Sequence, residues 1–93
     1  MIRHVVLMKF TDSDDAPEAK ARLEGLPAGI PQVLSLEVGL DVLRTPASYD
    51  LALVTTHEST AALQEYQAHP LHEEFGRWVR PRLAARAVVD SAV

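Results

Sequence analysis

The chain has 93 residues, 47% of them hydrophobic and 24% charged, with a formal net charge of −4 and no cysteine. That length holds a single domain, residues 1–93, and leaves no room for a second core. A disulfide scaffold and a thiol site are excluded, and the acidic balance, crowded into Asp12, Asp14, Asp15 and Glu18, excludes the basic footprint of a nucleic-acid binder.

The opening MIRHVVLMKF has only a short apolar run, Val5–Met8, before Lys9. This is too short for a secretory signal or a membrane span, so a cytoplasmic location is expected, with no membrane partner. A first strand is predicted over 2–10. One face carries Ile2, His4, Val6, Met8 and Phe10, the other Arg3, Val5, Leu7 and Lys9. Both faces are apolar at mid-strand, which predicts cover on both sides. Thr11–Asp15 offers N-caps, and Pro17 suits the first turn of a short helix with Ala19, Leu23 and Leu26 at helical spacing. Pro27, Gly29 and Pro31 end it.

A second strand is predicted over 33–44. Leu34, Leu36, Val38, Leu40 and Val42 lie on one side and Ser35, Glu37 and Asp41 on the other, as in an edge strand with one wet face. After a turn at Thr45–Ser48, a third strand over 49–56 is apolar on both faces through Leu51-Ala52-Leu53-Val54. Ser59 is the predicted N-cap of a helix whose inner stripe holds Leu63 and Tyr66. Pro70 interrupts that helix, and a second piece runs to about Val79 with Leu71, Phe75, Trp78 and Val79 on one face. Pro81 closes it, and a last strand is predicted over 84–89.

The order β-α-β-β-α-β is the ferredoxin-like α+β arrangement, a four-stranded antiparallel sheet with the first and third strands central. Helices of this number cover one face of such a sheet. The other face exposes more apolar surface than a monomer ordinarily tolerates, which predicts a homodimer.

The segment from Leu63 to His72 holds the residues best suited to chemistry. A phenol orients or protonates a carbonyl oxygen while an imidazole moves a proton near neutral pH, so Tyr66 and His72 form a natural pair. His4 shares a strand face with Val6 and Met8 and faces the same space if that side meets the helices. A structural account fits the same residues: His69 as a helix cap, Tyr66 as a core aromatic with its hydroxyl satisfied, His4 bonded to backbone. His69, His72 and Glu73 fall at i, i+3 and i+4, a spacing that can hold a metal, but Pro70 breaks the helix the spacing depends on. Asp12–Asp15 reads more simply as a solvated helix N-terminus than as a cation site. No phosphate loop, nucleophile elbow or cysteine–histidine pair is present, and neither a metal nor a cofactor is expected.

Three segments, His4-Val5-Val6-Leu7-Met8-Lys9-Phe10, Ser48-Tyr49-Asp50-Leu51-Ala52-Leu53-Val54 and Tyr66-Gln67-Ala68-His69-Pro70-Leu71-His72, together resemble the stress-responsive A/B-barrel (Dabb) family in content and order. The HPxH element is the most specific part. The resemblance implies a dimeric α+β barrel formed from two such sheets. Within the family the sequence is similar to the olivetolic acid cyclase type, which closes a linear polyketide by intramolecular aldol condensation. That similarity implies His72 and Tyr66 as catalytic residues and His4, Val6, Met8, Leu53, Phe75 and Trp78 as lining a pocket for a small hydrophobic ligand. The first helix here is shorter and lacks the aromatic residues of that type's acyl tunnel, and HPxH also serves as a structural helix break. Three functions stay open: a cofactor-free cyclase-like enzyme, a non-catalytic stress-response or ligand-binding dimer, and a monooxygenase of the dimeric α+β barrel type, for which Trp78 is the one suggestive residue.

Overall fold

The computed structural model describes residues 1–93. The strands are β1 (Ile2–Phe10), β2 (Ser35–Leu40), β3 (Leu51–His57) and β4 (Leu83–Ala92). The helices are α1 (Ala16–Glu24), α2 (Thr60–Ala68) and α3 (Pro70–Val79). The strands form one antiparallel sheet in the order β2-β3-β1-β4, so β1 and β3 are central as the apolar patterning predicts. No helix is long and apolar enough to cross a membrane.

Helix boundaries follow local chemistry. The Ser59 hydroxyl accepts the Ala62 N–H at 3.1 Å and starts α2. Pro17 lies in the first turn of α1, and Asp12 caps the short 3₁₀ turn before it by accepting the Asp14 N–H at 3.0 Å. The acidic cluster is thus spent on helix entry.

Strand boundaries depart from the prediction at β2 and β4. The alternation Leu34 to Val42 continues past the strand, but pairing stops at Leu40 opposite Leu51. Asp41 begins a loop in which Arg44 adopts a left-handed backbone (φ 55°), held by its N–H on the Asp41 carboxylate at 2.7 Å. Val42 and Leu43 are therefore exposed instead of facing a core. β4 runs to Ala92, past the predicted end at 89, because the whole of β1 pairs with it, down to Ile2 opposite Ala92.

One sheet face is packed under the helices. Val6, Met8, Phe10, Leu51 and Leu53 meet Leu23 and Ile30 from the first connection and Leu63, Tyr66, Phe75 and Val79 from α2 and α3, all buried. The opposite face has no cover within the chain. Across it Glu37, Val54, Val5 and Val89 form one cross-strand row and Gly39, Ala52, Leu7 and Ala87 the next. This is the open apolar face anticipated from the sequence.

A buried carboxylate fastens the end of β1. Beyond the last β3 partner of β1, the Phe10 N–H donates to Asp50 Oδ2 at 2.7 Å, while Arg44 Nη1 donates to Oδ1 at 2.8 Å. Burial alone would raise the Asp50 pKa, but the Phe10 N–H and Arg44 outweigh it and hold the carboxyl below the ordinary value.

A histidine-lined candidate active site

The site is assembled on the covered sheet face where β1 and β3 meet α2 and α3. His4 stands in a cross-strand row between Thr55 and Asp90 and is buried. Its Nδ1 is hydrogen-bonded to the Asp90 carboxylate of β4. An ionised carboxylate only accepts, so Nδ1 carries the proton. The bond is therefore to a side chain, where the structural account from sequence had backbone.

β3 continues its inward alternation through Leu51, Leu53 and Thr55 to His57, which is also buried. His57 Nδ1 donates to the Gln32 carbonyl at 2.8 Å, so Nε2 is bare and accepts the Thr55 hydroxyl at 2.8 Å. Burial lowers its pKa, opposed by the Gln32 bond. Both nitrogens are occupied, and His57 is a structural buttress.

Tyr66 comes from the inner stripe of α2 and is fully buried, its ring 5.0 Å from that of His57 and 6.3 Å from that of His4. The helix then breaks. His69 is extended, and its Nδ1 accepts the Leu71 N–H at 3.1 Å as N-cap of α3, with Pro70 in the first turn. This break turns His72 back against Tyr66, edge to face, with ring centroids 4.6 Å apart. His69 is thus a cap. No group of three or more His, Asp or Glu side chains gathers in a way that would hold a metal ion.

The Tyr66 hydroxyl is buried without any hydrogen-bond partner. The structural account of Tyr66 requires a satisfied hydroxyl, and this one is not. Burial pushes its pKa up to about 12, against the opposing charge of Arg86. Burial likewise lowers the His72 pKa, helped by His4, so the ring stays neutral at neutral pH.

A cavity of about 210 Å³ opens beside His72, with Met8, Phe75, Val79 and Leu83 as its apolar wall and Arg80 and Arg86 as its charged one. Larger clefts of 270, 340 and 330 Å³ elsewhere are lined by none of the four rings. Of the residues singled out from sequence, His4, Tyr66 and His72 come together, and Met8 and Phe75 line the cavity. His4, Tyr66, Val6 and Leu53 do not line it: all four are sealed in the core, and of the aromatic cluster only His72 reaches the cavity. Trp78 is corrected outright. Its indole is gripped between the guanidinium groups of Arg22 and Arg82, 4.4 and 4.5 Å from the ring centroid, away from the cavity. His57, Asp90, Arg80 and Arg86 were missed. Only His57 carried a readable signal, since the period-two alternation of β3 continues to it.

Two neutral histidines, His57 buried and His72 half-buried, make folding pH-dependent. Their folded pKa values lie below the unfolded value of about 6.5, so the unfolded chain binds more protons as the pH falls through that value. Their contribution is complete above about pH 6.5 and is lost below it. The melting temperature should fall from about pH 7 to 5, and His57→Gln should flatten part of the slope. A melting temperature constant across that range would contradict the assignment.

Fold and site define a ferredoxin-like α+β protein with a histidine–tyrosine cluster between its sheet and its broken second helix. The chain belongs to the Dabb family, the stress responsive A/B barrel domain, whose model matches residues 2–93. It is 30% identical to a dimeric ferredoxin-like protein of unknown function from Thermobifida fusca, with a TM-score of 0.87 over 99% of this chain and 90% of that one. A dimeric protein of the same fold and unknown function from Bacteroides fragilis is 27% identical, with a TM-score of 0.86 over 99% and 95%. The hydroxynitrile lyase of Passiflora edulis shares the fold, with a TM-score of 0.85 at 17% identity over 99% and 92%. No curated protein matches the sequence.

Proposed function

We propose that the protein is a cytoplasmic homodimeric, cofactor-free acid–base enzyme of the cyclase or lyase kind, with His72 as general base and Tyr66 as the group that holds the reacting carbonyl oxygen. The observation that carries this is the buried, unpartnered hydroxyl of Tyr66, whose ring packs edge to face against a neutral His72 that itself lines a cavity. Leaving a buried hydroxyl unpaired costs about 1–3 kcal/mol, a cost that a substrate oxygen would relieve. Arg86, which lines the cavity, is the charged group that acts on the phenol.

In the aldol version of this chemistry His72 takes a proton from carbon beside a carbonyl whose oxygen accepts the Tyr66 O–H. The resulting enolate carbon bonds to a second carbonyl of the same molecule, and His72 returns the proton to the new alkoxide. His4, held by Asp90, stands beside Tyr66 and fixes the polar surroundings of the pair from within the core. The lowered pKa of His72 keeps the base form available below the ordinary histidine range.

The test is aldol cyclisation of short 3,5,7-trioxoacyl thioesters, in which C2 closes on the C7 ketone, together with deuterium exchange at carbon next to simple ketones. His72→Ala and Tyr66→Phe should each lower the rate by about 100-fold or more. Tyr66→Phe should at the same time leave stability unchanged or raise it by about 1 kcal/mol, because the hydroxyl it removes has no partner to lose. Wild-type rates no higher than those of His72→Ala across the whole panel would refute the enzyme reading.

A further inference from the structure

The charge around the cavity runs against that of the molecule. Thirteen carboxylates face nine lysines and arginines in the chain, yet the stretch from Phe75 to Val89 holds Arg77, Arg80, Arg82 and Arg86 and no acid. Arg82 is occupied by Trp78 and by Asp15, 3.9 Å away. Arg80 and Arg86 line the cavity, no ion pair involves either of them, and no carboxylate lines the cavity with them. The nearest acid on the same face of β4, Asp90, is committed to His4.

Unpaired arginines on a surface are usually just solvated, and a lone one would carry nothing. Here two converge on one concave site with a neutral histidine between them and the buried phenol. The backbone also accommodates one of them: a Cβ on Gly76 would lie 2.6 Å from Arg80 Nη1, so it is the bare glycine that lets the guanidinium lie against α3 at the cavity wall. Guanidinium groups recognise carboxylates through paired N–H donors. The volume sets the size, since about 210 Å³ is below the range of roughly 300 Å³ and more that drug-sized ligands occupy.

We infer that the substrate is a short oxo acid, its carboxylate held by Arg80 and Arg86 and its ketone presented to Tyr66 and His72. This rests on the acid–base reading above and adds the substrate class to it. The arginines set affinity and orientation; the proton moves only at His72.

The experiment uses 4-oxopentanoate, its methyl ester and 2-pentanone as probes of deuterium exchange beside the ketone, followed by NMR, with pentanoate as a non-reacting ligand in chemical-shift titrations. The wild-type dimer should exchange the acid with kcat/KM about tenfold or more above the ester and the ketone. Arg80→Gln and Arg86→Gln should each raise KM for the acid and erase its preference over the ester and the ketone. Gly76→Ala, which keeps both charges but displaces the Arg80 head, should raise KM for the acid alone. Equal exchange of acid and ester would overturn this inference while leaving the acid–base function standing. Saturable pentanoate binding that the arginine variants lose, with no exchange of any probe, would uphold the carboxylate site and refute the catalytic reading. Neither exchange nor pentanoate binding would overturn both.

Discussion

Asp50→Ala is expected to lower stability by about 2–3 kcal/mol, the range for leaving a buried backbone donor and a charged partner without an acceptor. The Phe10 N–H lies beyond the last residue of β1 that pairs with β3, so no strand carbonyl can replace the carboxylate. Asp50 also ties its own N–H to the Met8 carbonyl at 2.9 Å, so one residue clamps the strand end from both sides. For a chain of this size the loss corresponds to a drop in melting temperature of about 10–20 °C. Arg44→Ala should cost far less, since its side chain is about half exposed at 51%. Because the folded pKa of Asp50 is depressed, its stabilisation is present above about pH 4 and lost as the pH falls below that. A melting temperature for Asp50→Ala within about 2 °C of wild type would remove the clamp from the account.

The second large effect concerns the open face of the sheet. Val54 lies at its centre, opposite Val5 and in the same row as Val89. The two longest extents of the molecule are 35 and 26 Å, so its broad face is of the order of the 800 Å² that each partner buries in a standard interface. Wild-type protein at micromolar concentration should sediment at twice the 10.2 kDa chain mass. Val54→Asp should sediment as the monomer. A two-fold axis places the new carboxylate in the interface twice, and each uncompensated burial costs several kcal/mol. Glu37→Lys at the edge of the same row should leave the dimer intact. A wild-type monomer, or a Val54→Asp dimer of undiminished affinity, would show that this face is not the interface.

The fold was readable because its information is local and periodic. Two-sided apolar patterning marked β1 and β3 as central, Ser59 announced α2, and Pro70 announced the break that separates α2 from α3. The errors arose where pairing overrode pattern. β2 stops at Leu40 despite further alternation because the Arg44 turn takes the chain away, and β4 runs long because β1 offers it partners, not because Asp90, Ser91 and Ala92 favour a strand. The site was half readable. His4, Tyr66 and His72 came from residue chemistry, spacing and resemblance. Asp90 and Arg86 could not, since only the register of β4 against β1 brings them opposite His4 and Met8. Trp78 was misplaced because a helix face shared with Phe75 did not reveal that Arg22 and Arg82 would claim the indole.

That last arrangement gives the molecule a built-in optical reporter. The chain has a single tryptophan, and its indole is held by one arginine from α1 and one from the turn after α3. Its emission therefore reads the docking of these two parts of the chain, and does so outside the cavity. Loosening of the helical layer can be followed by light in the same sample in which the proposed exchange at His72 is followed by NMR.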